Sequence, residues 1–342
     1  MASPPAFIDR LCPAPLGGGF SLPDHWIWCG SAIRGPEGRY HLFASSWPKS
    51  LAFHPHWVTN SRTVRAVADR PEGPYAFVED VLPPRGPGYW DGRATHNATI
   101  HYRDGSYYLF YTGITYPEDP PFAGAPIDAA SPLAARARAA QRIGLATAPS
   151  PEGPWQRADR PLIEPRANQW DALMTTNPAA CIREDGRTLL AYKSARHHKA
   201  KLEYGMAVAD QPEGPYRRLA EAPIFQFPGN EHIEDAYLWH NGQFYEIVMK
   251  DMAGGLSGEP HAGIHATSPD GLKWTLSEPA LAYSRKLLWE DGSRTEQGNL
   301  ERPQLLIEDG RPTHIFFATT EGGKHFRKGA THSYNLCVPL RD

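Results

Sequence analysis

The 342-residue sequence predicts an all-β protein in which four-stranded antiparallel blades form a five-bladed β-propeller around a central channel. Three observations lead to this fold class. A short turn motif occurs four times, a hairpin with a polar tip occurs five times, and the chain contains 31 glycines and 34 prolines. This pattern is typical of many short strands joined by many turns.

The repeated turn reads PEGPY at 71–75, PEGPW at 151–155 and PEGPY at 212–216, with a looser copy, PDGLKW, from 269. Proline fixes φ and glycine supplies a positive φ, so each copy can form a tight turn. The segments before the copies are rich in alanine and β-branched residues, and they alternate with a period near two. We therefore expect the third strand of a blade before each turn and the outer strand after it.

The five hairpins are predicted at 31–45, 97–113, 177–194, 234–251 and 301–319. Four of their tips are DG or NG, and the first is EG. With the turns, they predict one domain over 1–342, whose blades cover 24–80, 90–165, 170–222, 230–282 and 296–340.

The fifth predicted blade lacks the PEG turn. We expect residues near PAFIDR, at the start of the chain, to complete the ring, because closure removes sheet edges. The insertion at 116–140 is rich in alanine and proline, with a short helical segment, and is expected to overhang one rim.

The composition bounds the partners and the location of the protein. A net charge of −3 and a pI near 6.6 give no reason to expect nucleic acid or a membrane surface. The start, MASPPAFIDR, lacks the pattern of a signal peptide, so we expect a cytoplasmic protein unless an export signal was removed, which would make it periplasmic or secreted. The four scattered cysteines form no CxxC and are expected to be reduced thiols. The oligomeric state is not specified.

Polar residues are predicted to converge where the inner strands begin. Aligning the hairpins on their tip glycines places five residues at one mouth of the channel, namely Ser31, Asn97, Asn177, Glu234 and Glu301. Glu234 and Glu301 would lie on neighbouring blades, where two inward-facing acids suffer desolvation and mutual repulsion. Folds keep such pairs mostly where chemistry uses them.

The segments leading to this mouth carry aromatic, acidic, amide and basic residues that suit a sugar. The predicted substrate-binding residues are Trp28, Trp90, Asp91, Arg93, His96, Asn97, Asp171, Asn177, Asp235 and Arg302. Other interpretations stay open, since both tryptophans of the WD pairs could pack between blades and both aspartates could cap turns. Lys193 and Lys250 are weaker candidates for sugar binding, because a solvent-exposed position or an ion pair between blades would explain each of them at least as well.

The hairpins, the ADxPEGPY-like turns and the acids at the strand starts resemble the five-bladed β-propeller glycoside hydrolases, the broad set around families 43, 32, 62, 117 and 130. The resemblance covers about residues 20–340 and implies an enzyme that cleaves a glycosidic bond. EDAYLW resembles the family 43 segment that carries the general acid, which would make Glu234 the proton donor. The first blade, WCGSAIR, lacks the family 43 base, so the chain looks like a divergent member.

Cleavage needs a second carboxylate. We expect Glu301 as nucleophile or base, with Asp24, Asp91, Asp171 and Asp235 as substitutes. We expect an oligosaccharide substrate, from a plant or microbial polysaccharide, that contains a furanoside or unusual sugar and is attacked in exo mode. No cofactor and no metal ligand set is expected, with a structural cation in the channel as an open alternative. The rival functions are a glycoside phosphorylase and a non-catalytic sugar-binding propeller.

Overall fold

A computed structural model, which describes residues 6–227, 229 and 231–341, confirms the all-β propeller. In the first four blades, each strand pairs with the next along the chain in antiparallel fashion. Blade 1 contains β1 (His25–Arg34), β2 (Tyr40–Pro48), β3 (Arg62–Ala68) and β4 (Ala76–Asp80). Blade 2 contains β5 (Ala94–Arg103), β6 (Ser106–Ile114), β7 (Arg142–Ala148) and β8 (Gln156–Arg157).

The next two blades follow the same order. Blade 3 contains β9 (Thr176–Ile182), β10 (Thr188–Ser194), β11 (Glu203–Ala209) and β12 (Arg217–Arg218). Blade 4 contains β13 (Ile233–His240), β14 (Tyr245–Asp251), β15 (Gly263–Ser268) and β16 (Thr275–Tyr283). The repeated turn joins the third and fourth strands, and its glycines Gly73, Gly153, Gly214 and Gly271 have φ of 88°, 100°, 94° and 79°. This is the left-handed backbone that glycine adopts most readily.

The fifth blade has three regular strands, and the start of the chain supplies its outer edge. The strands are β19 (Leu300–Glu308), β20 (Arg311–Thr320) and β21 (Ser333–Pro339), preceded by a separate hairpin of β17 (Lys286–Leu288) and β18 (Arg294–Glu296). Phe20 and Asn335 exchange backbone hydrogen bonds of 3.1 and 2.8 Å, and the Cys12 amide donates to the Pro339 carbonyl at 2.9 Å. Ring closure by the N-terminal segment is thus confirmed.

The closing segment begins one element later than the sequence suggested. Phe7–Arg10, within PAFIDR, forms a 3-10 helix, and the residues after it run beside β21. The other helices are α1 (Phe53–His56), α2 (Pro132–Ala139) and 3-10 helices at Glu321–Gly323 and Phe326–Lys328. The short helix expected in the 116–140 insertion is therefore present as α2.

The hydrophobic core lies mainly between neighbouring blades. Between blades 3 and 4, for example, Leu189 and Met206 lie in one cluster with Ile247 and Met249, all of them 1% exposed or less. Alternating strand residues point to opposite faces, so each blade buries one set of side chains against each neighbour. Within the described residues, no helix is long and apolar enough to cross a membrane.

Candidate active site

Each inner strand carries a bulge that places one residue in the left-handed conformation. The residues are Cys29, Asn97, Asn177, Asp235 and Arg302, with φ between 53° and 57°. The strand pairing shifts register at each of these places. Asparagine and aspartate tolerate this backbone, whereas cysteine and arginine rarely adopt it. One residue of each blade is therefore turned towards the channel by the same local device.

These five side chains form a chain of hydrogen bonds across the blades. The Cys29 thiol donates to Asn97 Oδ1 at 2.7 Å, Asn97 Nδ2 to Asn177 Oδ1 at 2.6 Å, and Asn177 Nδ2 to Asp235 Oδ1 at 3.1 Å. Arg302 Nη1 donates to the same Asp235 oxygen at 3.3 Å. Burial raises the pKa of the Cys29 thiol, and the nearby Arg302 charge acts in the opposite sense. We call these five residues the polar ring.

The residue before each member of the polar ring forms a second layer, closer to the open mouth. This layer consists of Trp28, His96, Thr176, Glu234 and Glu301, and their strand partners are Ser45, Thr112, Lys193, Lys250 and Ala318. The tip-glycine alignment is therefore corrected, because Glu234 and Glu301 lie one residue before the polar ring. Ser31 lies two residues after it, and its hydroxyl accepts from the Ile100 amide at 3.1 Å.

Glu234 and Glu301 share one buried ammonium. Lys250 Nζ lies 3.1 Å from Glu301 Oε1, 3.3 Å from Glu234 Oε2 and 3.3 Å from Asp235 Oδ2. Lys193 Nζ lies 3.6 Å from the other oxygen of Glu234. Lys250 is 1% exposed, so these charges interact with little solvent screening.

The surrounding charges shift the pKa values of the two glutamates in opposite directions. Burial raises the pKa of Glu234, but Lys193 and Lys250 outweigh it and the pKa is lowered. Burial also raises the pKa of Glu301. Lys250 acts to lower this pKa, but the charges of Asp235 and Glu234 add to the increase, so the net shift is upward. Of the two glutamates, Glu301 is therefore the more easily protonated and Glu234 the more easily ionised.

The cavity above these residues has an aromatic wall and a volume of about 210 Å³. The aromatic side chains that line it are Trp28, Trp47, Phe53, Trp57 and Phe326. Phe53 makes edge contacts with Trp28 at 4.9 Å and with Trp47 at 4.8 Å between ring centroids, and it stacks on Phe326 at 4.6 Å. His96 makes an edge contact with Trp57 at 5.3 Å between ring centroids, and burial is the main reason that its pKa falls to about 3, so His96 is neutral.

Eight of the residues predicted for the site line this cavity. They are Trp28, His96, Asn97, Asn177, Glu234, Asp235, Glu301 and Arg302. The Arg302 guanidinium is 3% exposed, and its Nε and Nη2 lack a hydrogen-bond partner among the residues that the structure describes. These two nitrogens are donors that lie beside the cavity without a protein acceptor.

The structure places five other predicted residues outside the cavity. They are Asp24, Trp90, Asp91, Arg93 and Asp171. The Asp24 side chain is 77% exposed and pairs with His25, and the Arg93 guanidinium donates to the backbone carbonyls of Tyr116 and Pro117. The first blade therefore contributes no carboxylate to the lining.

The two WD pairs hold their own blades together. Trp90 stacks on Tyr111 and Trp170 on Tyr192, with centroids 5.6 and 5.8 Å apart. Each adjacent aspartate, Asp91 or Asp171, is fully buried, accepts a hydrogen bond from the tyrosine hydroxyl and pairs with two arginines. The stacking partner of each tryptophan is thus in its own blade and not in a neighbouring one, and two arginines balance the charge of each carboxylate.

Sequence reasoning underrated the two lysines. Lys250 pairs with Glu234 in the strand register and Lys193 with Thr176, so both lysines lie on the second strand beside the second layer. The register, counted from the bulge instead of the hairpin tip, would have found them. Arg138, on α2, and Arg327 also line the cavity, and no sequence pattern signals either of them.

The four cysteines are free thiols, and Cys29, Cys181 and Cys337 are buried. Among the described residues, no group of three or more His, Cys, Asp or Glu side chains is arranged to hold a metal ion.

No protein-family model and no curated protein matches the chain. Several solved structures are similar to it. BT0996, in a complex with RGII, is 14% identical with a TM-score of 0.68, over 98% of this chain and 94% of that one. Zg3597, a family 117 glycoside hydrolase from Zobellia galactanivorans, is 17% identical with a TM-score of 0.63, over 97% and 88%. CoXyl43, a GH43 β-xylosidase/α-arabinofuranosidase from a compost metagenome, is 14% identical with a TM-score of 0.60, over 95% and 94%.

These comparisons define the class of fold. The chain has the five-bladed β-propeller fold of the family 43 and family 117 glycoside hydrolases, at a sequence identity that marks it as divergent. The predicted resemblance is confirmed at that level. Fold alone does not carry an activity, so the function is argued from the cavity.

Proposed function

We propose that the protein is a glycoside hydrolase that uses Glu234 and Glu301 as its carboxylate pair. One observation carries the proposal: two largely enclosed glutamates from adjacent blades contact the same ammonium, that of Lys250, beside a cavity with an aromatic wall. Glycoside cleavage needs one protonated and one ionised carboxyl group flanking the scissile bond. Aromatic faces suit the C–H-rich faces of sugars.

The pKa directions assign the roles. Glu301, whose pKa is raised, is the proton donor to the leaving oxygen, and Glu234, whose pKa is lowered, acts on the anomeric carbon or on a water. This assignment reverses the expectation that followed from the family 43 resemblance. Asp235 is held by Lys250 and Arg302 and supports the pair without acting on the substrate.

The separation of the pair favours retention of configuration. The Glu234 and Glu301 oxygens that contact Lys250 cannot be farther apart than the sum of their two contact distances, 3.3 and 3.1 Å. The bound applies to one oxygen of each group, and it accommodates the separation of about 5–5.5 Å typical of retaining enzymes. Proton NMR of the first product formed would report the anomer directly.

Exo action on an oligosaccharide follows from the shape of the mouth. The cavity is small, and α2, from the 116–140 insertion, brings Arg138 over it. Such a pocket suits a terminal sugar better than an internal one. Product analysis on a defined oligosaccharide should show release of single sugars from one end.

The experiment is a screen of aryl furanosides and pyranosides, including L-sugars and uronic acids, with the wild type and two variants. Glu234→Gln should lose about 10²–10⁴-fold in kcat on every substrate that is cleaved. Glu301→Gln should lose as much on poor leaving groups and far less on activated ones, because a good leaving group needs no proton. Glu296→Gln, an exposed glutamate paired with Arg285, is the matched control and should behave as wild type.

Two outcomes would overturn the proposal. If both variants cleave at the wild-type rate, the carboxylates are not the catalytic pair. If turnover requires inorganic phosphate, the protein is a phosphorylase. The assays are therefore run with and without phosphate.

A further inference from the structure

A second depression opens from the cavity on the same mouth of the propeller. It has a volume of about 840 Å³ and shares Trp57, Arg138, Leu202 and Arg327 with the cavity. Its walls come from α1, α2, the loop after β10 and the 3-10 helix Phe326–Lys328. We call it the basic groove, after Arg138, Lys199, Lys201 and Arg327.

The charge of the basic groove is of one sign. Besides the four cations, four histidines line it, and the described part of the chain contributes no aspartate or glutamate to its walls. The whole chain contains 35 basic and 38 acidic residues, so this concentration runs against the overall balance. Cations that line one depression without acids raise the local concentration of an anion and attract it from solution.

The two arginines at the junction form no close ion pair with the described residues, although Arg138 and Glu234 attract each other at longer range. Among the described residues, no carboxylate lies within ion-pair distance of the Arg138 or Arg327 side chain, and the Arg327 guanidinium lies 5.4 Å from the centre of the Phe326 ring. Arg138 is half-buried, so part of its hydration is lost without an ion pair to replace it. A guanidinium in this state suits a bidentate contact with a carboxylate or a sulfate ester.

We propose that the basic groove binds the acidic part of a saccharide, a uronate or a sulfated sugar, whose neighbouring sugar occupies the cavity. This inference rests on the proposed function, because it takes the sugar in the cavity as the one whose glycosidic bond is cleaved. Trp57 lines both spaces and offers one aromatic face near the sugar that spans them. The substrate class is thus an anionic oligosaccharide.

The test is equilibrium binding by titration calorimetry to the wild type at low and at physiological ionic strength. The probes are tetragalacturonate, a sulfated carrageenan tetrasaccharide and neutral galactotetraose, with product analysis showing whether each stays intact. At least one acidic probe should bind about tenfold or more tightly than the neutral one at low ionic strength, and the gain should shrink with salt. The two acidic probes distinguish carboxylate from sulfate.

The variant Lys199→Gln/Lys201→Gln removes two exposed charges from the basic groove without touching the cavity. Binding of the acidic probe should weaken about two- to fivefold per lysine, the range of exposed ion pairs. Arg70→Gln/Lys286→Gln removes two exposed charges elsewhere and is the matched control. Neither pair should change binding of the neutral probe.

Three results would overturn the inference. They are equal affinity for acidic and neutral probes, equal effects of the two double variants, and equally tight competition by an oligothymidylate, which would mark a general polyanion surface. Failure of the proposed function looks different. Binding of acidic probes without cleavage of any glycoside would refute the hydrolase proposal but support the basic groove. Cleavage of neutral glycosides without binding of acidic probes would refute the basic groove but support the hydrolase proposal.

Discussion

Replacing Lys250 by methionine should destabilise the protein in a way that depends on pH. The Lys250 ammonium contacts Glu234, Asp235 and Glu301 at 3.1–3.3 Å. At an effective dielectric constant of about 20, one such pair is worth about 5 kcal/mol before the cost of removing the charges from water. After that cost, removing one partner from a buried ion pair destabilises by about 3–5 kcal/mol. We expect Lys250→Met to lose that much at neutral pH.

The sign of the pH dependence follows from linkage. Without the ammonium, the three carboxylates repel one another in a buried site, so their pKa values in the folded variant rise above the unfolded values. The folded state then binds more protons than the unfolded state, and stability falls as the pH rises through the folded pKa. The deficit of Lys250→Met should therefore be largest at neutral pH and shrink in mild acid.

Urea unfolding followed by tryptophan fluorescence measures this deficit at both pH values. The control is Lys286→Met, an exposed lysine on β17, which should stay within about 0.5 kcal/mol of wild type at either pH. A deficit that is the same at neutral and acid pH would show that lost packing, not charge, explains the effect. Wild-type stability at neutral pH would contradict the charge cluster itself.

Two further predictions concern other charged groups. Asp171→Asn should cost about 3–5 kcal/mol in unfolding free energy while kcat stays unchanged, because this buried carboxylate pairs with two arginines outside the cavity. The control is Glu221→Gln, an exposed partner in the same network, which should cost under about 1 kcal/mol. Equal losses of stability in the two variants would contradict this ranking. Lys193→Met should move the acid limb of the kcat/KM profile to higher pH, since Lys193 lowers the pKa of Glu234, and an unmoved limb would remove Glu234 as the ionised group.

The fold could be predicted because its signals are local and repeated. A glycine at a turn and an alternating strand are set by a few neighbouring residues, so five hairpins and four closing turns specified a propeller without any knowledge of long-range contacts. The closing strand was harder. Its residues form single backbone bridges such as that of Phe20 with Asn335, and irregular pairing leaves no alternating pattern to read.

The candidate site was predicted only in part, and the bulges explain why. Counting from the hairpin tips misses the extra residue that each inner strand inserts, and one residue reverses which face a side chain points to. Asn97 and Asn177 were placed in the ring although they lie eight and nine residues before their tip glycines, Gly105 and Gly186. Cys29 was missed, and so was the place of Arg302 in the polar ring, because neither residue type signals a left-handed backbone. Arg138 and Arg327 lie on α2 and on the 3-10 helix Phe326–Lys328, short helices between strands whose positions depend on the folded whole.

The polar ring has a consequence for how this sequence can change. Its hydrogen bonds run from Cys29 through two asparagines to Asp235 and Arg302. Every member therefore forms a hydrogen bond with a side chain of another blade. Exchanging one member strands a polar atom belonging to its neighbour, at a depth where water is scarce. A substitution at one ring position is therefore tolerated only together with a compensating substitution in the next blade. The five ring positions, far apart in sequence, are thus expected to change together.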